Sequence, residues 1–199
     1  MKKLLILITI TLIIIVYSCN RGKIIDGFYL TEEMKSQIPF NGHETIRFID
    51  EDDNIFMLSG DGRITTFIEV PDCINCVDYN VYEKEWIKFS DELFEIELKL
   101  SASIENYLSV KYTVDGIRFW CGFISPLSVE NLKEQEIIFD SIIINNVSYY
   151  NVYRDTVVSD GTIPTITPYP VFFYYSTEYG LIKIDFSDNT YWELENIEW

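Results

Sequence analysis

The residues best suited to chemistry in this chain are four cysteines and the only histidine: Cys19, Cys73, Cys76, Cys121 and His43. Cys73 and Cys76 form a C-x-x-C pair, a spacing found in redox-active dithiols and in zinc sites. A redox pair needs a strand-to-helix junction that lowers the thiol pKa, but here a strand-like segment follows the cysteines. A zinc site would need Cys121 and His43 as its remaining ligands. We therefore predict no catalytic residue, no metal and no cofactor.

The first cysteine follows a short apolar segment. Lys2 and Lys3 precede a run of about 13 mostly apolar residues, which is shorter than the roughly 20 that a membrane-spanning helix needs. Such a run is typical of the hydrophobic region of a signal peptide. Because Ser18 stands directly before Cys19, the segment resembles a bacterial lipoprotein signal. In that family the cysteine is acylated and becomes the first residue of the mature chain, and several acyl chains make the anchorage effectively permanent.

This resemblance divides the chain into three parts: a signal peptide of residues 1–18, a lipidated tether of residues 19–27 and a single β-rich domain of residues 28–199. A domain of that length is large enough to bury a hydrophobic core. With Cys19 acylated, Cys73, Cys76 and Cys121 are the disulfide candidates in an oxidising compartment. The disulfide joins either Cys73 to Cys76 or one of the two to Cys121, and the longer loop would stabilise by roughly 3–4 kcal/mol. One thiol is left over in both cases.

Composition limits the partners and indicates the fold class. The chain carries 32 acidic and 15 basic residues, a formal net charge of −17. A chain this acidic is repelled by nucleic acid and by anionic headgroups, so no nucleic-acid partner is expected. Aromatic residues make up 16% of the chain, with 14 Tyr and 13 Phe. Aromatic side chains favour strands, and alanine, the best helix former, is almost absent.

Alternating apolar and polar residues, interrupted by turn sequences, predict about ten or eleven strands. The strongest hairpin signal is Asp115-Gly116, which tolerates the positive φ of a type I′ turn. Gly60-Asp61-Gly62 is interpreted as another turn. One helix is predicted from Phe28 to Gln37, capped by Thr31. We expect an all-β fold with minor α: a single antiparallel meander sheet curled into a half-barrel or sandwich, with one short N-terminal helix.

Two aromatic clusters supply the candidate binding residues. They are Tyr149-Tyr150 with Tyr153, and the run Phe172–Tyr175. Adjacent residues of a strand point to opposite faces, so part of each cluster must lie on the face away from its neighbours. If that face is uncovered, an apolar groove suited to a ligand or partner is expected there. The residues predicted to flank it are Tyr149, Tyr153, Phe172 and Tyr174. The alternative is a two-layer core that buries both faces.

Three segments together resemble a type of small, uncharacterised lipoprotein from Bacteroidetes-like bacteria: Ile38–Phe48, Ile144–Val152, and Tyr174–Ile184 followed by Thr190–Leu194. The last of them is also similar to half-barrel proteins that carry lipids or lipoproteins across the periplasm. The resemblance implies an envelope lipoprotein, usually with no assigned activity. Lipoproteins of this kind that reach the cell surface tend to have acidic residues after the cysteine, whereas Arg21 and Lys23 make this tether basic. We therefore expect anchoring through Cys19 on the periplasmic side of the outer membrane.

These observations favour a non-catalytic, membrane-anchored module that binds an apolar ligand or an envelope protein. The alternative is a purely structural or interaction lipoprotein without a ligand pocket, with a filled core and a polar surface. An envelope enzyme is a more distant alternative, because it would require a carboxylate pair or a Cys–His contact inside a cleft.

Overall fold

The computed structural model describes residues 22–73, 78–102, 107–124, 138–159 and 168–199. These residues form 13 strands and one short helix: β1 (Ile24–Phe28), α1 (Glu32–Lys35), β2 (Thr45–Asp50), β3 (Ile55–Pro71), β4 (Tyr79–Ser90), β5 (Phe94–Ser101), β6 (Tyr107–Val114), β7 (Ile117–Ile124), β8 (Ile138–Ile144), β9 (Val147–Thr156), β10 (Val158–Ser159), β11 (Pro170–Ser176), β12 (Gly180–Phe186) and β13 (Tyr191–Glu198). The predicted signal peptide, Cys19 and Cys76 lie outside the described residues.

The strands form one antiparallel sheet built from two meanders. β2 to β7 make up the first, and β8, β9, β11, β12 and β13 make up the second. The meanders are joined where β13 pairs with β2, with Leu194 opposite Phe48. β10 follows β9 directly and pairs with β7, so the two ends of the sheet approach each other without closing. The predicted all-β fold with a single curled sheet is confirmed.

The first strand was not predicted. β1 pairs in parallel with β4, and the ring of Phe28 stacks on that of Tyr82 with centroids 4.8 Å apart. Residues 24–27 of the predicted tether and Phe28, the start of the predicted helix, therefore belong to a strand. The helix itself is confined to Glu32–Lys35. Its cap is the predicted one, because the Thr31 hydroxyl accepts a hydrogen bond from the Met34 N–H at 3.2 Å.

Two glycine-containing sequences that look alike form different structures. Asp115 and Gly116 both have positive φ, 49° and 75°, in the predicted hairpin turn. Gly60-Asp61-Gly62 instead lies inside β3, which pairs with β2 as far as Ser59 and with β4 onwards to Pro71. The register shifts between Gly60 and Arg63, and Gly62 has a φ of 111°. The predicted turn is therefore a β-bulge that redirects a long strand.

The inner face of the curled sheet is filled by the chain's own side chains. The largest fully buried ones include Phe48, Phe89, Phe173 and Tyr175. The segment between α1 and β2 also contributes, since Phe40 packs edge-on against Phe89 with centroids 5.0 Å apart. Each such side chain stabilises the fold by about 1.5–3 kcal/mol when fully buried, so the inner face is the hydrophobic core.

Candidate functional site

The four predicted aromatic binding residues lie on two different faces of the sheet. Tyr149 and Tyr153 are only 4% and 6% exposed and belong to the core. Their neighbour Tyr150 is 59% exposed, as the alternation along a strand requires. Phe172 and Tyr174 are half-buried and alternate with buried residues of β11, so they lie on the outer face. The four side chains therefore do not flank one groove, because the curl of the sheet buries the inner pair.

On the outer face, Tyr174 lies in a network with Lys183, Asp185 and Glu193. The Tyr174 hydroxyl donates a hydrogen bond to Asp185 at 2.8 Å. The Lys183 ammonium lies 3.0 Å from a Glu193 oxygen and 3.6 Å from an Asp185 oxygen. Burial, followed by the hydrogen bond to Asp185, raises the pKa of Tyr174. This arrangement stabilises the sheet and engages the charges of Lys183, Asp185 and Glu193 with one another.

Phe172 lies beside this network. The Arg154 guanidinium is 5.0 Å from the centre of its ring, which is a cation–π distance. The same phenylalanine borders a cavity of about 370 Å³ next to the turn between β12 and β13. Phe172 is thus a predicted binding residue that does line a concave surface.

The predicted longer disulfide, which would join Cys121 to Cys73 or Cys76, is excluded because Cys121 is a free cysteine. Cys73 is disulfide-bonded, and its partner lies outside the described residues. Cys121, on β7, is a free and buried thiol. Burial, and then the nearby Asp155 carboxylate, raise the pKa of the Cys121 thiol well above its ordinary value. Nucleophilic and redox chemistry require the thiolate, so Cys121 behaves as a small hydrophobic residue.

The remaining chemically suggestive residues do not converge either. His43 is exposed in the loop before β2. The acidic turn after β2 is stabilised locally, because Asp50 accepts hydrogen bonds from the N–H groups of Asp52 and Asn54 at 2.9 and 2.8 Å. Within the described ranges, no group of three or more His, Cys, Asp or Glu side chains is placed to hold a metal ion.

One face of the β3–β4 hairpin buries a charged cluster beneath α1. Glu83 accepts a hydrogen bond from the Leu30 N–H at 2.9 Å and lies 3.0 Å from the Lys35 ammonium. Glu85 is paired with Arg63. The Arg63 guanidinium also donates hydrogen bonds at 2.9 to 3.3 Å to the backbone carbonyls of Lys35, Ile38 and Phe40. Buried ion pairs are stable only with such additional hydrogen bonds, so this cluster fastens α1 to the hairpin.

The opposite face of the same hairpin places Trp86 among lysines. Lys84 and Lys88 flank it along β4, its partner on β5 is Lys99, and its partner on β3 is Ile64. These side chains line a groove of about 560 Å³, here called the Trp86 groove: Asp61, Ile64, Thr66, Ile68, Lys84, Trp86, Lys88, Glu97 and Lys99. Grooves of this volume are within the range of small-molecule sites, about 300–1,000 Å³.

Two lysines of the Trp86 groove have no acidic partner among the residues that the structure describes. Lys88 lies 3.1 Å from Glu95. Lys84 and Lys99 form no ion pair with any carboxylate in the described part of the chain. They are diagonal neighbours across β4 and β5, a relation that sets their Cβ atoms about 7–8 Å apart. Burial, and then the charge of Lys99, lower the pKa of Lys84. The two ammonium groups therefore repel each other in the unliganded protein.

The same hairpin also forms an arm, defined as β1, residues 63–71 of β3 and residues 79–82 of β4, so the β3 part of the arm includes the groove residues Ile64, Thr66 and Ile68. Among the described residues, this part of β3 pairs with β4 alone, so its other edge carries no neighbouring strand. Phe67 is 57% exposed and Val70 is 43% exposed. Ile24, Ile25 and Tyr29 add further exposed apolar area on or beside β1. An open edge with apolar side chains is typical of a surface that pairs with another chain.

Neither the arm nor the Trp86 groove was predicted from the sequence. The alternation from Lys84 to Lys88 places the lysines on one side of the strand and Glu85 on the other, and this pattern is visible in the sequence. Which side faces outwards depends on where α1 packs, and the sequence does not show that. The open edge of β3 was hidden because its two halves were interpreted as separate strands on either side of a turn.

No helix among the described residues is long and apolar enough to cross a membrane. In comparisons with known proteins, no protein family, no curated protein and no solved structure matches the chain. The geometry of the arm and of the Trp86 groove is therefore the basis on which a function can be proposed.

Proposed function

We propose that the protein is a non-catalytic, lipid-anchored envelope module whose arm binds an extended segment of a protein partner. The observation that carries this proposal is the one-sided pairing of residues 63–71 of β3. An unpaired strand edge presents free N–H and C=O groups, and an extended segment adds to them as a further strand. At about 3.3 Å per residue, nine residues offer an edge about 30 Å long.

Charge indicates the kind of partner. Apart from Arg63, which is paired with Glu85, the charged side chains in and next to the arm are mainly acidic. Asp26 and Glu69 lie in the arm, and Asp72 and Asp78 lie beside it, against Lys23 before β1. A basic segment is attracted to such a surface, whereas a second copy of a chain with net charge −17 is repelled by it. The partner proposed here is therefore a basic protein segment.

The predicted anchor would bring the arm close to the membrane. Cys19 lies five positions before Ile24, where β1 begins, and five extended residues span at most about 17 Å. Acylation of Cys19 would hold the arm at that distance from the periplasmic leaflet of the outer membrane. Acidic side chains are not attracted to anionic headgroups, which favours a protein partner at the membrane over the lipid surface itself.

The buried charges support a role in binding rather than catalysis. Glu83 and Glu85 are engaged by Lys35 and Arg63, and the Cys121 thiol is held in its protonated form by burial. The filled inner face also argues against a lipid carried within the curl of the sheet. These groups contribute to folding, and the accessible features are the edge and the outer face.

Hydrogen exchange on the full chain in mild detergent tests the arm. The probe is an eight-residue peptide of alternating Lys and Val, and the control is the same peptide with Glu in place of Lys. We expect the basic peptide alone to slow exchange of the amides of residues 63–71. The double variant Phe67→Lys/Val70→Lys should abolish this protection, whereas Leu93→Lys, at another exposed apolar position, should retain it. Equal protection by both peptides, or none, would reject the proposal.

Metabolic labelling with an alkyne fatty acid tests the anchor separately. The wild-type chain should incorporate the label and Cys19→Ser should not. An unlabelled wild-type chain would remove the anchor from the proposal without affecting the peptide-binding result.

A further inference from the structure

We propose that the Trp86 groove is a binding site for an acidic saccharide, whose ring lies against Trp86 and whose carboxylate is held by Lys84 and Lys99. The groove lies on the outer face of β3, β4 and β5, and it is lined by side chains rather than by the open edge of β3. The inference therefore does not depend on the partner proposed for the arm.

Two lysines of the groove, Lys84 and Lys99, differ from the other lysines of the described sheet. In a chain with 32 acidic residues, lysines can find carboxylates readily, as Lys88, Lys111 and Lys183 do. Lys84 and Lys99 instead lie beside each other, with no carboxylate partner in the described ranges of the chain. Bringing an anion between two like charges relieves their repulsion and adds two attractive contacts. The groove thus offers a local anion site on a protein that otherwise repels anions.

An apolar surface lies beside these two lysines in the groove. Trp86 is half-buried, so part of its indole ring is available within the groove, and Ile64 and Ile68 extend the apolar surface on the β3 side. An indole presents a flat, apolar face with a polar edge, which suits the C–H face of a sugar ring. A simple inorganic anion would leave this apolar area unused.

The balance of charges in the groove limits the negative charge that its ligand can carry. The groove contains three lysines and two carboxylates, Asp61 and Glu97, so its excess positive charge is small. A nucleotide phosphate would be repelled by these carboxylates, whereas sugar hydroxyls can donate hydrogen bonds to them. The Thr66 hydroxyl is a further partner on the groove wall. A uronic acid, with one carboxylate per ring and several hydroxyls, matches this set of groups.

Titration of the ¹⁵N-labelled protein followed by NMR tests the proposal. The reporter is the indole N–H signal of Trp86, assigned by its disappearance in Trp86→Phe. The probe is trigalacturonate, the matched neutral probe is its methyl ester, and adenosine 5′-monophosphate tests a nucleotide. We expect trigalacturonate alone to shift the Trp86 signal saturably, with weaker binding at high salt because the contact is ionic.

Substitutions then localise the binding. Lys84→Gln and Lys99→Gln should each weaken trigalacturonate binding by about fivefold, which is the effect of losing one partly exposed charge contact. Lys23→Gln removes the same charge from a distant exposed position and should leave the dissociation constant unchanged. The Lys→Gln variants do not disturb buried side chains, so their folding can be verified from the unchanged amide spectrum.

Several results would overturn the inference. The absence of any shift with trigalacturonate would remove the site. Equal binding of the methyl ester would show that the lysines do not recognise the carboxylate, and binding of the nucleotide alone would replace the saccharide. Unchanged affinity in both groove variants would place the site elsewhere. The groove is tested through the Trp86 signal and through variants at Lys84 and Lys99, all outside the arm, whereas the arm is tested with a basic peptide, so the two proposals can fail independently.

Discussion

The two faces of β4 differ in whether their charged side chains are ion-paired, although the residues of the two faces alternate along a single strand. Glu83 and Glu85 face α1, are buried and are each bound to a cation. Lys84 and Lys99 face outwards and form no ion pair with a carboxylate of the described segments. The inner charges are therefore part of the fold, because removing one partner leaves the other unsatisfied. The outer charges contribute little to the fold and remain available to an external group.

Partial exposure alone does not explain this difference. Lys183, on the outer face of β12, has a side chain 22% exposed, and yet it lies within 4.0 Å of both Asp185 and Glu193. The charges around Lys183 on the outer face of the second meander thus form a completed network, and those of the Trp86 groove on the first meander form an incomplete one. We therefore expect the stability of the fold to depend on the completed ion-pair networks, and ligand binding to depend on the incomplete network of the Trp86 groove.

The largest expected effect is at Arg63. Arg63→Met leaves Glu85 buried without its cation and leaves three backbone carbonyls without their donor. We expect a loss of about 3–5 kcal/mol in the free energy of unfolding, measured by urea denaturation. Arg63→Lys should recover only part of it, because an ammonium lacks the planar fork of donors. A loss below about 1 kcal/mol would show that the cluster does not fasten α1.

The buried carboxylate of Glu44 is expected to make the stability of the fold depend on pH. Burial by itself raises the pKa of Glu44, but hydrogen bonds from the N–H groups of Asn41 and Gly42, at 2.8 and 2.7 Å, outweigh it and the pKa is lowered. The folded state therefore favours the carboxylate, and this stabilisation is lost as the pH falls through the folded pKa. Glu44→Gln should cost about 2 kcal/mol at neutral pH, and the difference from wild type should shrink in acid. A difference that does not depend on pH would contradict this account.

A smaller loss is expected at Lys183. Lys183→Met removes the cation between Asp185 and Glu193 on a half-exposed face, which should cost about 1 kcal/mol. A double-mutant cycle with Glu193→Gln isolates the pair, and it should return a favourable coupling energy. A coupling energy of zero would remove the distinction between the two outer faces.

The smallest effect is expected in the Trp86 groove. Lys99→Gln should change the free energy of unfolding by less than about 0.5 kcal/mol, or raise it slightly, because it relieves repulsion with Lys84. Thermal unfolding beside the Lys183 variant measures the contrast directly. A large destabilisation would mean that Lys99 is structurally required and would weaken the case for a ligand site.

Much of the fold could be predicted from local patterns. Composition predicted the all-β class, the alternation of apolar and polar residues predicted most strands, and Asp115-Gly116 predicted its hairpin. These features could be predicted because they depend only on local sequence. Gly60-Asp61-Gly62 was misread, since positive φ suits both a turn and a bulge, and pairing partners decide between them. β1 was missed because a parallel strand joins residues far apart in sequence.

The candidate sites were harder to predict for the same reason. Tyr149 and Tyr174 belong to similar aromatic runs, yet one is in the core and the other on the surface. Local sequence shows that neighbours alternate, but not which member faces inwards. The unpaired state of Lys84 and Lys99 also depends on which strands lie beside β4, and this is settled only by the whole sheet.

The pairing of β2 with β13 also has a consequence for the order of folding. Thr45 is paired with Glu198, so the seam between the meanders joins segments from opposite ends of the described chain. Contacts of such long range form slowly, because the loop entropy must be lost before they stabilise anything. Until β13 pairs with it, β2 has β3 as its only neighbour among the described strands and presents an unprotected edge. The nascent domain therefore passes through a period in which aggregation at this edge competes with completion of the sheet.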